Sequence, residues 1–275
     1  MTFTKWLRTP KAYMLLAMLF CLAAASAGSH TLTGVIHTLA AVLAAVLTDN
    51  VCRAVTRRKW SVSDSTLITG FIVGLILSIT SSALTAAVTA VLSILSKHLL
   101  VYKKKAVFNP AAVGLLLVIP LLHTGQSWWG AFGDLPVWML TFLLICGYPI
   151  VNRIHKYPQV FTFLAATFGL LSLASLLGLG EVSDAFRPPF INATLFFAFF
   201  MLTDPPTSPA KTTQQMLFGL LVAMVGTLVY VYWGGLSYLY IGLLAGNLYS
   251  YLNKRSAARA SVRRSQTKKA RSPAG

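Results

Sequence analysis

Apolar segments follow one another from Ala12 to Leu252, with only short polar breaks between them. A chain patterned this way has no polar face to turn toward water, so a soluble bundle is excluded and lipid has to serve as its surface. Composition agrees: 56% of the residues are hydrophobic and only 11% charged, far less charge than a water-facing domain carries. The breaks place about ten spans, at 12–28, 34–48, 64–80, 82–96, 109–123, 136–151, 159–178, 190–203, 216–232 and 235–252. Inside hydrocarbon a helix satisfies its own backbone, so the expected fold class is an all-α integral membrane protein of about ten transmembrane helices. Several spans fall short of the ~20 residues of a full crossing. Snorkelling side chains or a thinned bilayer accommodate such spans, and so do broken helices whose loops dip into the protein.

The net charge of +17 raises nucleic acid as a partner, but its placement argues otherwise. The basic residues sit in short loops and after the last apolar segment, with no basic face interleaved with aromatic residues. With the N-terminus (Lys5, Arg8, Lys11) in the cytoplasm and the spans alternating, the cytoplasmic loops take several groups. These are Arg53, Arg57, Arg58 and Lys59; Lys97, Lys103, Lys104 and Lys105; Arg153 and Lys156; and Lys211. The tail takes the rest, from Lys254 to Arg271. Of the 23 basic residues, Arg187 alone falls outside. This asymmetry is the positive-inside signature, and it predicts a multi-pass protein of the bacterial cell (inner) membrane with both termini cytoplasmic. The expected partner is the lipid bilayer, with no nucleic acid. The outer side carries Trp128, Trp129, Asp134, Glu181 and Asp184, and the tryptophans fit an interfacial belt.

Lys5 to Lys11, the apolar run after them and Ala25-Ser26-Ala27 have the look of a secretory signal peptide. An uncleaved first helix is favoured, because it completes two halves of five spans, about 1–128 and 129–252. An odd number of spans per half turns the second half upside down, the plan of an inverted repeat with a site between the halves. The basic tail, 253–275, reads as disordered and cytoplasmic.

Three segments combine chemistry with punctuation. In Asp64-Ser65-Thr66-Leu67-Ile68-Thr69-Gly70, the first two residues suit a helix start, and Gly70 with Gly74 allows close helix contact. Capping with packing, or a ligand site, both explain it. In Phe108-Asn109-Pro110-Ala111, Asn is a good N-cap and Pro is favoured at the first helical position. A helix beginning there offers N–H groups to an anion. In Thr203-Asp204-Pro205-Pro206-Thr207-Ser208-Pro209, the prolines forbid regular helix. An ionisable group near membrane depth points to a site, although a rigid turn is the alternative. Cys21, Cys52 and Cys146 form no CxxC pair and read as small apolar side chains. The histidines offer no facing pair for haem, and no P-loop or dinucleotide fingerprint occurs.

Taken together, these segments resemble the RnfD/NqrB family, which supplies membrane subunits to the Rnf and sodium-translocating NADH:quinone oxidoreductase complexes. Asp64 to Gly70 matches the family's Asp-x-Ser-like start with Thr-Gly. Phe108 to Ala111 matches its FNPA segment, Thr203 to Pro209 is similar to its TDPVTSP segment, and Asn247 to a recurrent Asn of the last span. The resemblance implies a flavin, FMN or riboflavin. Family members attach FMN covalently to a Thr in a Ser/Asp-Gly-Ala-Thr motif. Here the corresponding loop reads His123-Thr124-Gly125-Gln126-Ser127-Trp128-Trp129-Gly130 and holds no Gly-Ala-Thr, so the attachment is not carried over to Thr124. The expected flavin is non-covalent. Its ring would stack on Phe108 or Phe200. Its carbonyls or phosphate would meet the helix start at Asn109-Pro110 and the Thr203–Ser208 turn, and Asp204 would hold a ribityl hydroxyl or a cation. The candidate cofactor residues are Asp64, Ser65, Thr69, Gly70, Phe108, Asn109, Pro110, Thr203, Asp204, Thr207 and Ser208. The implied role is electron transfer beside other redox-complex subunits, coupled to Na⁺ or H⁺ movement. A transporter of flavin or a related small molecule, and a scaffold of a membrane complex, are the alternatives.

Overall fold

The computed structural model describes residues 3–133, 135–180 and 182–270. Asp134 and Glu181, expected on the outer side, and the last residues of the tail, 271–275, lie outside the described residues. The order is α1 (Phe3–Leu7), α2 (Pro10–Ser29), α3 (Thr33–Val55), α4 (Asp64–Ile76) and α5 (Ala83–Leu99), then a hairpin, β1 (Val101–Tyr102) with β2 (Lys105–Ala106). After it come α6 (Pro110–Leu122), α7 (Leu140–Ile154), α8 (Tyr157–Leu176), α9 (Phe190–Phe196), α10 (Thr212–Trp233) and α11 (Ser237–Ala270). Five helical stretches among the described residues are long and apolar enough to cross a membrane: Pro10–Ser29, Thr33–Val55, Val137–Ile154, Tyr157–Leu176 and Thr212–Trp233. Asp64–Ile76, Ala83–Leu99, Pro110–Leu122 and Phe190–Met201 are apolar but shorter.

The outside of the bundle is as apolar as its inside. On α3, Leu39, Leu43 and Leu47 recur every four residues and stay exposed, while Ala41 and Ala45 are fully buried. In water that row of leucines would be an aggregation face; in lipid it is matched. The small residues face inward so that backbones can approach. A Cβ on Gly70 would lie 2.7 Å from Val42 Cα and one on Gly74 2.5 Å from Thr38 Cα. The Gly70–Gly74 spacing thus seats α4 on α3. Further contacts join α3 to α5 and α5 to α6, and later α8 to α10 and α10 to α11. Contacts of α2 with α7 and of α6 with α11 join the earlier helices to the later ones.

The short helices are short for a reason. With 13 residues, α4 rises about 20 Å, against ~30 Å of hydrocarbon. Beyond Ile76 the chain turns extended at Leu77, and the remaining depth is filled by residues 125–131. Ser127 N and Trp128 N both donate to Ile76 O (3.1 and 3.0 Å), and Ser78 N donates to Gly125 O (3.3 Å). Irregular backbone is tolerated at this depth because it is buried in protein.

This plug corrects the reading of Trp128 and Trp129 as belt anchors. Both are buried. The Trp128 indole donates to Gln126 Oε1 at 2.9 Å, and its ring stacks on Tyr240 with centroids 5.7 Å apart. Trp129 donates to Gly74 O at 2.8 Å. Adjacent tryptophans after a helix read as anchors in a sequence, but here they fill the gap left where α4 stops. Trp60, Trp138 and Trp233 are the exposed ones.

Candidate functional site

Three starts and ends of helices meet at the end of the bundle that carries the basic loops. At α4 the cap is Ser63, whose Oγ accepts from Thr66 N at 3.3 Å. Asp64 is instead the first helical residue, and its Oδ1 accepts from the Trp6 indole at 3.2 Å. The cap expected from Asp64 and Ser65 is thus displaced by one residue, since the side chain just outside the helix reaches the free amides best. At α6, Asn109 caps as expected from the sequence: its Oδ1 accepts from Ala112 N at 3.2 Å, and Pro110 follows.

The third component follows α9. The helix widens into a π-turn over Phe197–Met201, with Leu202 N donating to Phe197 O at 2.9 Å. Single π-turns of this kind concentrate at functional sites. The chain then enters the proline segment, which is tied from every side. Thr203 Oγ1 donates to Phe199 O (2.8 Å), Thr207 Oγ1 to Asp204 Oδ2 (2.9 Å) and Ser208 Oγ to Asp204 O (2.7 Å). The Asn109 amide donates to Asn247 Oδ1 at 2.8 Å, Asn109 Nδ2 to Met201 O at 3.3 Å, and Asn247 Nδ2 to Thr207 O at 3.5 Å. Asn247, on α11, therefore joins the FNPA-like segment to the proline segment.

Behind the turn lies a buried cation that the sequence did not single out. Lys156, only 4% exposed, donates through Nζ to Ser208 Oγ at 2.9 Å, to Gln159 Oε1 at 3.4 Å and to Pro209 O. Gln159 Nε2 reaches Leu202 O at 2.6 Å. Desolvation pulls the Lys156 ammonium down to about 8, against the supporting charge of Asp204. The Asp204 carboxyl is pushed above its ordinary range, mainly by desolvation, with the Thr207 hydroxyl and nearby lysines pulling the other way.

These components enclose a cavity of about 700 Å³, within the ~300–1,000 Å³ of small-molecule and cofactor sites. Of the residues singled out from the sequence, Ser65, Thr69, Asn109, Pro110, Thr203 and Asp204 line it, with Phe200 beside them. Gly70 packs on α3, Phe108 is half-buried just before the cap, and Thr207 and Ser208 hold the turn from inside. The expectation that backbone amides await a ligand needs correction. The amides of Asn109 and Ala112 are taken by Asn247 and Asn109, and those of Thr207 and Ser208 by Asp204 O (3.3 and 3.1 Å). Positive character comes from side chains instead.

The opposite wall holds a cluster that sequence reasoning missed. Asp49 is buried near the end of α3. It accepts from Arg53 Nε at 2.9 Å, pairs with His98 Nε2 at 2.7 Å and lies 3.7 Å from Lys97 Nζ. Lys97 also donates to Ser65 Oγ (3.1 Å) and Thr66 Oγ1 (2.9 Å), tying α5 to the start of α4. The signal was present. Asp49 is one of only six acidic residues, stands one residue past the second apolar span, and has an arginine four residues on, the spacing of a helical ion pair.

An all-helical bundle with an apolar exterior, buried polar joints between helices and a small-molecule cavity at its basic end is a multi-pass membrane protein with an internal binding site. Residues 122–249 match the NQR2, RnfD, RnfE family, so the family resemblance read from the motifs is shown over this stretch. The stretch contains the proline segment and Asn247. The chain is 39% identical over 67 residues to the RnfD-type subunit of the ion-translocating oxidoreductase complex of Shewanella amazonensis, covering 23% of this chain and 18% of that one. Over 95 residues it is 35% identical to the corresponding protein of Mannheimia succiniciproducens, covering 34% and 27%. Over 87 residues it is 37% identical to that of Cellvibrio japonicus, covering 28% and 24%. The matched segments thus span about a fifth to a quarter of each relative.

Proposed function

We propose that this chain is a ten-span membrane subunit, built as two five-helix inverted repeats, that holds FMN or riboflavin non-covalently in the cavity at its basic end. In this reading it passes electrons between partner subunits of a redox complex, coupled to Na⁺ or H⁺ movement. One observation carries it. Residues from three segments distant in sequence, Ser65 and Thr69, Asn109 and Pro110, Thr203 and Asp204, border one cavity of cofactor size. Corresponding helix pairs, α3 with α5 and α8 with α10, support the repeat, as do the contacts of α2 with α7 and α6 with α11 across the halves. The names of the relatives support ion coupling and partner subunits, and the basic loops gathered at one end support a cytoplasmic placement of that end.

The residues present suit a flavin. The Phe200 ring and the Pro110 ring offer flat apolar surface for the isoalloxazine. Asp204 is placed to accept from ribityl hydroxyls, and the Asn109–Asn247–Thr207 links hold both sides of the cavity in register. The cofactor supplies the redox chemistry; the protein binds it, orients it and keeps it from bulk water.

Purified protein tests this directly. A flavin absorbance band that survives washing, bleaches with a chemical reductant and weakens in Asp204→Asn is expected. Colourless protein that binds neither flavin would sink the proposal and leave a scaffold. A second reading has its own support: without a Gly-Ala-Thr attachment segment the flavin is free to leave, as cargo does. Flavin uptake into proteoliposomes without any redox partner would favour transport.

A further inference from the structure

The cavity is strongly asymmetric in charge. Lys11, Arg53, Arg58, Lys97, Lys104 and Lys105 border it, with His98, against Asp49 and Asp204. Asp49 is shared among Arg53, Lys97 and His98, so it orients these cations without cancelling them. Lys97 Nζ is spent on Ser65, Thr66 and Asp49 and contributes charge. Arg53 is different. Only its Nε is committed to Asp49, which fixes the guanidinium plane and leaves the two Nη groups as a fork. A fork held rigidly beside further lysines is the arrangement that takes a phosphate through two parallel hydrogen bonds. The remaining wall is apolar or proline-rich: Ile68, Ile72, Ile150, Phe200, Pro205 and Pro206. A ligand matching both walls has an anionic head and an apolar body.

We infer that the Arg53 fork, with Lys104 and Lys105 of the β1–β2 hairpin, is a phosphate subsite of this cavity. Resting on the flavin reading above, it makes FMN the preferred ligand over riboflavin. The two flavins differ only in the phosphate, which carries about −1.5 to −2 charges near neutral pH. A lipid headgroup presents the same chemistry from a different source.

The test is a titration of delipidated, detergent-solubilised protein with FMN and with riboflavin, followed by flavin fluorescence. FMN is expected to bind on the order of tenfold to a hundredfold tighter, as charge-assisted hydrogen bonds imply, and the gap should narrow with added salt. Arg53→Gln should bring FMN to within about threefold of riboflavin while riboflavin affinity holds. Because Arg53 also touches Asp49, Lys104→Gln with Lys105→Gln, both exposed, is the second variant and should narrow the gap in the same direction. Equal affinities in the unmodified protein, or variants that weaken both flavins alike, overturn the subsite but leave the flavin reading standing. Failure of both flavins to bind overturns the flavin reading and the subsite with it. Phosphatidylglycerol binding that is lost in Arg53→Gln, with FMN and riboflavin equal, assigns the fork to lipid and overturns the FMN preference.

Discussion

Lys156 gives the protein a specific pH signature. Its ammonium is buried against Ser208, Pro209 and Gln159, and desolvation brings it from 10.5 to about 8. A fall of that size corresponds to about 3.4 kcal/mol at ~1.36 kcal/mol per pH unit. Below pH 8 the folded and unfolded chains both carry this proton, so stability does not vary with pH on its account. Between 8 and 10.5 the folded chain releases it while the unfolded chain retains it. The unfolded state then binds more protons, and stability rises with pH, levelling off above 10.5. Lys156→Met removes this titration and strands the acceptors it served. The variant is therefore expected to be less stable. Its deficit relative to the unmodified protein should widen by up to about 3 kcal/mol from pH 7.5 to pH 10. Thermal unfolding of both proteins in the same detergent, at half-unit pH steps, measures this difference; titrations common to both cancel. A deficit that stays constant or shrinks across that window would refute the placement of a desolvated ammonium behind the proline turn.

Two substitutions probe the joints of the cavity. Asn109→Ala removes the α6 cap and the donor to Met201 O. It should cost about 2–4 kcal/mol and reduce flavin retention, whereas Trp233→Ala, on an exposed side chain, should change neither. Equal thermal stability and equal retained absorbance in the two variants would count against the site. Gly114→Ala places a Cβ 2.0 Å from Ser93 Oγ and 2.6 Å from Thr89 O. Part of that obstacle is backbone, so α6 has to move off α5 at a cost of about 1–3 kcal/mol or more; an unchanged melting temperature would show that the two helices do not pack this closely.

Much of the protein was legible in the sequence, for local reasons. Burial in lipid imposes its pattern residue by residue, so runs of apolar residues mark helices wherever they occur. The Asn109 cap, with Pro110 behind it, is a contact within one turn, and the break at Thr203–Pro209 follows from proline alone. Gly70 and Gly74 announced a close neighbour, though not which one. Trp128 and Trp129 were misread because belt and plug call for the same residue type, and only the early end of α4 distinguishes them. Asn247 and Asn109, Lys156 and Ser208, and Asp49 with Lys97 and His98 are separated by long stretches of chain. Nothing local in either partner specifies the other. Folding decided those pairings because the bundle interior leaves buried polar groups no water, so each had to be satisfied by whatever helix end was brought within reach.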